Sequence, residues 1–319
     1  MTILITGAAG FIGNNFCHKL AKNKKLNLIG IDSLNNYYAV KIKRHRIKRL
    51  LKNNNIKFYK INLKDKKKLK NLFKKYKFDE VYNFAAQAGV RYSEVNPTAY
   101  IDSNITGFIN LIKLSKDFKV KKFFYASSSS VYGDLNNFPL KEREKLNPKN
   151  FYGMTKKLNE DIARNFFENY KFKSVGLRFF TVFGEWGRPD MFMFKYLTAA
   201  YYKKKFYLNN YGNHVRDFTY IDDATNILLK LRNKSIKKND IYNISSNNPI
   251  GLKQILSFFQ KISPKTQIVK REFQKSDVYK THGSNKVVIE KTKYKKFENV
   301  KEALKKTHDW YFKNKKYYK

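Results

Sequence analysis

Short apolar, β-branched runs alternate with longer amphipathic stretches through the first half of the chain. "TILIT" (2–6) predicts a strand and residues 11–22 a helix; "LNLIGID" (26–32) predicts a second strand, followed by a basic helix over about 41–52. "IKFYKINL" (56–63) is a third strand, with a helix to about Tyr76, and "EVYNFAA" (80–86) a fourth. A long helix over about 97–117 follows, with Pro97 suited to its first turn. "KKFFYAS" (121–127) is a fifth strand, and residues 151–170 form the next helix. This βα repetition predicts an α/β fold, a doubly wound parallel sheet of the Rossmann kind with right-handed crossovers.

After "VGLRFF" (175–180) the rhythm breaks, and the loops carry more Gly, Pro and Arg. "FTYIDDATNILLKL" (218–231) and "IYNI" (241–244) are expected to return to the first lobe. The expected division is therefore 1–176 plus about 217–245 in one lobe, and about 177–216 plus 246–319 in a smaller one. Helices are expected near 252–261 and 300–313, and no internal repeat is visible.

A chain of 319 residues with 42% hydrophobic and 16% aromatic content has enough apolar material for a large packed interior. The single cysteine, Cys17, excludes an intramolecular disulfide framework and a cysteine zinc site, and no metal is expected. No apolar run is long enough to cross a bilayer, and no basic region precedes the first apolar run, so a cytoplasmic protein is expected. The net charge of +42 invites a nucleic-acid partner, but only 11 of the 67 basic residues are Arg. Phosphate and base recognition favours the arginine fork, so solvated lysine faces are the expectation and a nucleic-acid partner is not.

"ITGAAGFIG" places Gly7, Gly10 and Gly13 at the junction of the first strand and helix, where a tight turn and a free helix N-terminus suit a pyrophosphate. Plain turn glycines are the alternative. Asp32, at the end of the second strand, suits the two hydroxyls of an adenosine ribose and would repel a 2′-phosphate, which favours NAD over NADP. Further on, Tyr152 and Lys156 stand four apart on one helical face. A phenol titrates near 10, and a neighbouring ammonium together with oxidised NAD favours its ionised form. Such a pair suits proton removal from a carbon that also loses hydride; an aromatic ring packed under a lysine stem is the alternative. "KFFYASSSSVYGD" ends the fifth strand in a row of serines at the sheet edge where open α/β folds bind ligands.

The T-G-x-x-G-x-x-G turn, "NFAAQAGVRYS", Asn104, S-S-S-x-V-Y-G and Y-x-x-x-K together resemble the extended short-chain dehydrogenases/reductases of the nucleotide-sugar epimerase/dehydratase type. Within that family, "DSLNNYY", "LRFFTVFGEWGRPDM" and "VRDFTYIDD" are most similar to the branch that epimerises UDP-glucuronate at C4. The resemblance implies Tyr152 as base, Lys156 as the residue holding the nicotinamide ribose, and Ser128 as an assisting hydroxyl. It implies an NAD wall of Gly7, Gly10, Phe11, Ile12, Gly13, Asp32, Asn62, Leu63, Ala85, Ala86, Gln87 and Asn104. Arg216 would hold the UDP phosphates, with Arg188 in the same anion-binding wall. Relatives that eliminate water carry acidic residues where this chain has Ser129 and Ser130; hydroxyls there suit a sugar carboxylate, with Thr181 and Arg91 completing its cradle. The resemblance also implies a homodimer through the helices near 97–117 and 151–170. Two departures stand out: Asn62 replaces the family's usual Asp, and "THGSN" (281–285) replaces a pattern that usually contains Ala–Asp.

Overall fold

The computed structural model describes residues 1–318. The chain opens with β1 (Thr2–Thr6), α1 (Phe11–Leu20), β2 (Asn27–Asp32), α2 (Val40–Leu50), β3 (Ile56–Lys60), α3 (Lys66–Tyr76) and β4 (Glu80–Asn83). Next come α4 (Tyr92–Val95), α5 (Pro97–Tyr100), a π-helical segment (Ile101–Thr106), α6 (Gly107–Asp117), β5 (Lys122–Ser128), α7 (Phe151–Tyr170) and β6 (Ser174–Phe179). The remainder holds β7 (Thr181–Phe183), α8 (Phe192–Tyr201), β8 (Phe206–Asn209), β9 (Val215–Tyr220), α9 (Ile221–Arg232) and β10 (Asp240–Ile244). It ends with β11 (Pro249–Gly251), α10 (Leu252–Ile262), β12 (Ile268–Arg271), α11 (Lys286–Thr292) and α12 (Val300–Asn314).

Seven strands form one parallel sheet in the order β10-β6-β5-β4-β1-β2-β3. A parallel sheet must be covered on both faces, and the alternation along β1 shows this: Ile3 and Ile5 enter one core, Leu4 the other. Strand order reverses between β1 and β4, which opens a crevice at their carboxyl ends. Of the segment 217–245, β10 joins this sheet, and α9 reaches α1 through Lys19, whose Nζ donates to the Asn226 Oδ1 at 2.6 Å. β9 instead pairs with β7 and antiparallel with β11 in a three-stranded sheet, and β8 pairs with β12.

The helix expected over 97–117 is present, but it is loosened at its centre into a π turn. Asn96 caps its start, accepting from the Ala99 N–H at 3.2 Å, with Pro97 in the first turn as expected. Within the loosened turn the Asn104 carbonyl accepts from the Asn159 side-chain amide of α7 at 2.6 Å, a tertiary bond that competes with the regular helix ladder.

Candidate active site

At the crevice, the first turn is built by glycine. Gly7 has φ +66°, and a Cβ there would lie 2.7 Å from the Ala85 nitrogen; one on Gly13 would lie 2.3 Å from the Gly7 carbonyl oxygen. No side chain caps α1 and no acidic residue occupies its first turn, so its N-terminal dipole faces the crevice. Asp32 accepts from the Ala9 N–H at 3.2 Å and the Leu34 N–H at 2.8 Å, each oxygen keeping capacity for a further donor. Burial raises its pKa, against these bonds and the charges of Lys43 and Arg46.

The four serines divide their work. Ser127 also lines the cleft, but its hydroxyl is committed to Glu160, to which it donates at 2.5 Å, inside a buried pair in which Glu160 accepts two bonds from Arg178 at 2.9 and 2.7 Å. Ser128 ends β5 and caps the short 3-10 turn Ser129–Val131, accepting from the Ser130 N–H at 3.2 Å. Ser128, Ser129 and Ser130 all line the cleft. Across from them α7 begins at Asn150, whose side chain accepts from the Gly153 N–H at 2.8 Å and sets Tyr152 in the first turn. Lys156, one turn later, is buried; its Nζ lies 5.9 Å from the Tyr152 ring centroid and donates to the Ala126 carbonyl at 2.8 Å.

The cleft, about 440 Å³, brings Gly7, Gly10, Phe11, Ile12, Gly13, Asp32, Asn62, Leu63, Ala85, Ala86 and Gln87 together with Tyr152, Lys156, Thr181, Arg188 and Arg216. Two expected residues lie outside its wall. Asn104 is buried behind it: its Oδ1 accepts from the Gln87 N–H at 2.8 Å, so it places Gln87 and does not face the cavity. Arg91 is not in the wall itself; it donates at 2.6 Å to Asp277, which is. The Asn62 Oδ1 is engaged by the Lys64 N–H at 3.0 Å. Residues missed from the sequence include Tyr37, Lys43 and Asp277, all lining the cleft. "THGSN" has a structural task, since Asp217, fully buried, accepts from the Gly283 N–H at 3.1 Å and its own N–H donates to the Thr281 hydroxyl at 3.3 Å.

Burial raises the Tyr152 phenol, while the Ser128 hydroxyl and the Arg188 guanidinium pull it down. Burial pushes the Lys156 ammonium down to about 8, opposed by Glu160. The expected depression needs the charge of oxidised NAD as well as the ammonium, and in the protein alone burial keeps the phenol raised. Arg188 is held by a two-bond pair with Asp190 at 3.0 and 2.9 Å, and Tyr37 donates to the same carboxylate at 3.1 Å. Arg216 donates to the carbonyls of Val215, Val278 and Tyr279, and burial lowers it to about 10.

The NAD dependent epimerase/dehydratase family matches residues 3–245. The chain belongs to that family. A UDP-glucuronate 4-epimerase of Thermodesulfobacterium geofontis is 37% identical over 313 residues, covering 96% of this chain and 95% of that one. Protein CapI of Staphylococcus aureus is 37% identical over the whole of both chains. The UDP-glucuronic acid 4-epimerase of Bacillus cereus, solved with UDP-glucuronic acid and NAD, superposes with a TM-score of 0.93 at 28% identity, covering 98% of this chain and 100% of that one.

NAD is the cofactor of this epimerase/dehydratase family member, and the residues present fit it. The glycine turn admits close backbone approach, the uncapped α1 favours a pyrophosphate, and Asp32 is placed to accept from ribose hydroxyls. Lys156 and Tyr152 line the same cleft.

Proposed function

We propose that this protein interconverts UDP-glucuronate and UDP-galacturonate by C4 epimerisation. The observation that carries the reading is the row Ser128–Ser130, lining one cleft with Tyr152 and Arg188 where elimination chemistry would need carboxylates. Bound NAD supplies reversible hydride exchange at C4 and ends as it began. Tyr152 takes the C4 hydroxyl proton and later returns it, with the Ser128 hydroxyl bridging phenol and sugar oxygen. The raised phenol is neutral near pH 7 in the protein alone, so the charge arriving with oxidised cofactor favours its ionisation. Lys156, which lines the same cleft, would hold the nicotinamide ribose.

Arg216 anchors the UDP phosphates, which leaves the flat 4-ketone free to swing and present its other face. That ketone is a β-keto acid, which loses carbon dioxide when the carboxylate bond aligns with the ketone π system. Ser129, Ser130 and Thr181 hold the carboxylate out of alignment, a use of fixed geometry. Incubation with UDP-glucuronate and no added cofactor, read by mass and NMR, tests the reading. UDP-galacturonate supports it; UDP-pentose alone, or turnover confined to neutral UDP-hexoses, overturns it.

The exposed apolar side chains Val95, Ile101 and Ile109 on α4–α6, and Met154 and Leu158 on α7, support a homodimer through these helices. No described helix is long and apolar enough to cross a membrane. We place the enzyme in the cytoplasm on its substrate class.

A further inference from the structure

Arg46, on α2, is fully buried, and no step of the chemistry above uses it. Its charge is met by oxygens from three separate segments. Nη1 donates to the Ala9 carbonyl, inside the glycine turn, at 3.0 Å, and to the Tyr38 hydroxyl at 2.8 Å. Nη2 donates to the carbonyls of Trp186 and of Gly187, the latter at 3.0 Å. A lysine is a point charge and cannot span such a set; the planar fork can.

The third of these segments, Trp186–Gly187, is held in an unfavourable form. Trp186 has φ +61°, a left-handed conformation that a bulky residue keeps only when its surroundings hold it there. A Cβ on Gly187 would lie 2.2 Å from the Phe194 ring, so only glycine lets the backbone leading into Arg188 pack this closely against that ring. Arg49, one turn beyond Arg46, sits 5.5 Å from the Trp186 ring centroid and closes the same clamp.

We propose that Arg46 is a positioning residue that couples dinucleotide binding at the glycine turn to the placement of Arg188 beside Tyr152. A pyrophosphate at the turn would order the segment whose Ala9 carbonyl Arg46 holds with one nitrogen, while its other nitrogen grips Trp186 and Gly187. Cofactor binding therefore tightens the grip, and by reciprocity a tightened grip strengthens cofactor binding. Only the use made of Arg188 rests on the proposed epimerisation; the coupling does not.

Amide exchange on NAD-free and NAD-loaded protein tests this without any sugar present, so its outcome is separate from that of the substrate assay. In the wild type, NAD should slow exchange across residues 185–191 by about fivefold or more, the lower range of ordinary coupling. Arg46→Lys should melt lower than wild type without NAD, since buried oxygens lose their donor, and should lose most of that slowing and bind NAD more weakly by the factor of protection lost. If Arg46→Lys does not fold, Tyr38→Phe, which removes one of the four oxygens, should show a reduced form of the same loss. Exchange across 185–191 that ignores NAD in the wild type overturns the proposal, as does full NAD-dependent slowing in whichever variant folds.

Discussion

Replacing Lys156 with Met should abolish turnover and, at neutral pH, make the protein more stable. Burial takes the ammonium from its ordinary 10.5 down to about 8. At about 1.4 kcal/mol per pH unit, holding that charge inside costs the folded state about 3 kcal/mol at pH 7. Methionine fills a similar volume, and the loss of the 2.8 Å bond to the Ala126 carbonyl returns about 1 kcal/mol to the other side. The variant should gain about 2 kcal/mol at pH 7. The sign follows from proton binding. Between about 8 and 10.5 the unfolded chain holds a proton that the native lysine has released, so wild-type stability climbs with pH through that window. At pH 9.5 the penalty has fallen to about 1.4 kcal/mol, and the advantage of Lys156→Met nearly vanishes. Urea unfolding of NAD-free wild type and variant at pH 7 and 9.5 measures both values. A variant less stable than wild type at pH 7, or a difference indifferent to pH, would refute the reasoning.

Gly13→Ala places a Cβ 2.3 Å from the Gly7 carbonyl oxygen, so the turn must shift, and the Kd for NAD should rise about tenfold by fluorescence titration. Glu160→Gln leaves the buried Arg178 without its carboxylate and should lower unfolding free energy by about 3–5 kcal/mol. The same change removes the group that raises Lys156, so the alkaline limb of kcat/KM should move to lower pH. Ser129→Ala with Ser130→Ala should raise the share of UDP-pentose in the product of UDP-glucuronate, and an unchanged ratio by NMR removes the cradle argument.

The βα rhythm was legible because strands buried on both faces carry continuous apolar runs, as β1, β2 and β5 do. The pairing of β9 was not, because a local run such as "VRDFTY" does not say which neighbour it will find. Nor was the π turn at Ile101–Thr106, whose bond to Asn159 joins residues 55 apart in sequence. The same limit divides the site. Tyr152, Lys156 and Ser128–Ser130 converge because consecutive elements of a doubly wound sheet end at one edge, so their meeting follows from topology. Arg91 is captured by Asp277, 186 positions away, and no spacing rule reaches that far.

Composition concealed one further signal. The lysine surplus sits largely in water, as on α3, where Lys66, Lys67, Lys68, Lys70, Lys74 and Lys75 are exposed and only Leu69, Leu72 and Phe73 are buried. Against that background the 11 arginines behave differently. Arg91, Arg164, Arg178, Arg188 and Arg232 each pair with a carboxylate. Arg46 and Arg216 grip backbone carbonyls, and Arg49 and Arg271 lie over aromatic rings. Only Arg44 and Arg143 are exposed among the described residues without one of these roles. A chain that uses lysine wherever a point charge suffices keeps arginine where a planar fork is needed. On α2, Arg46 and Arg49 of "VKIKRHRIKRL" have such tasks while Arg44 is exposed without one, so there burial together with residue type marks the geometric task.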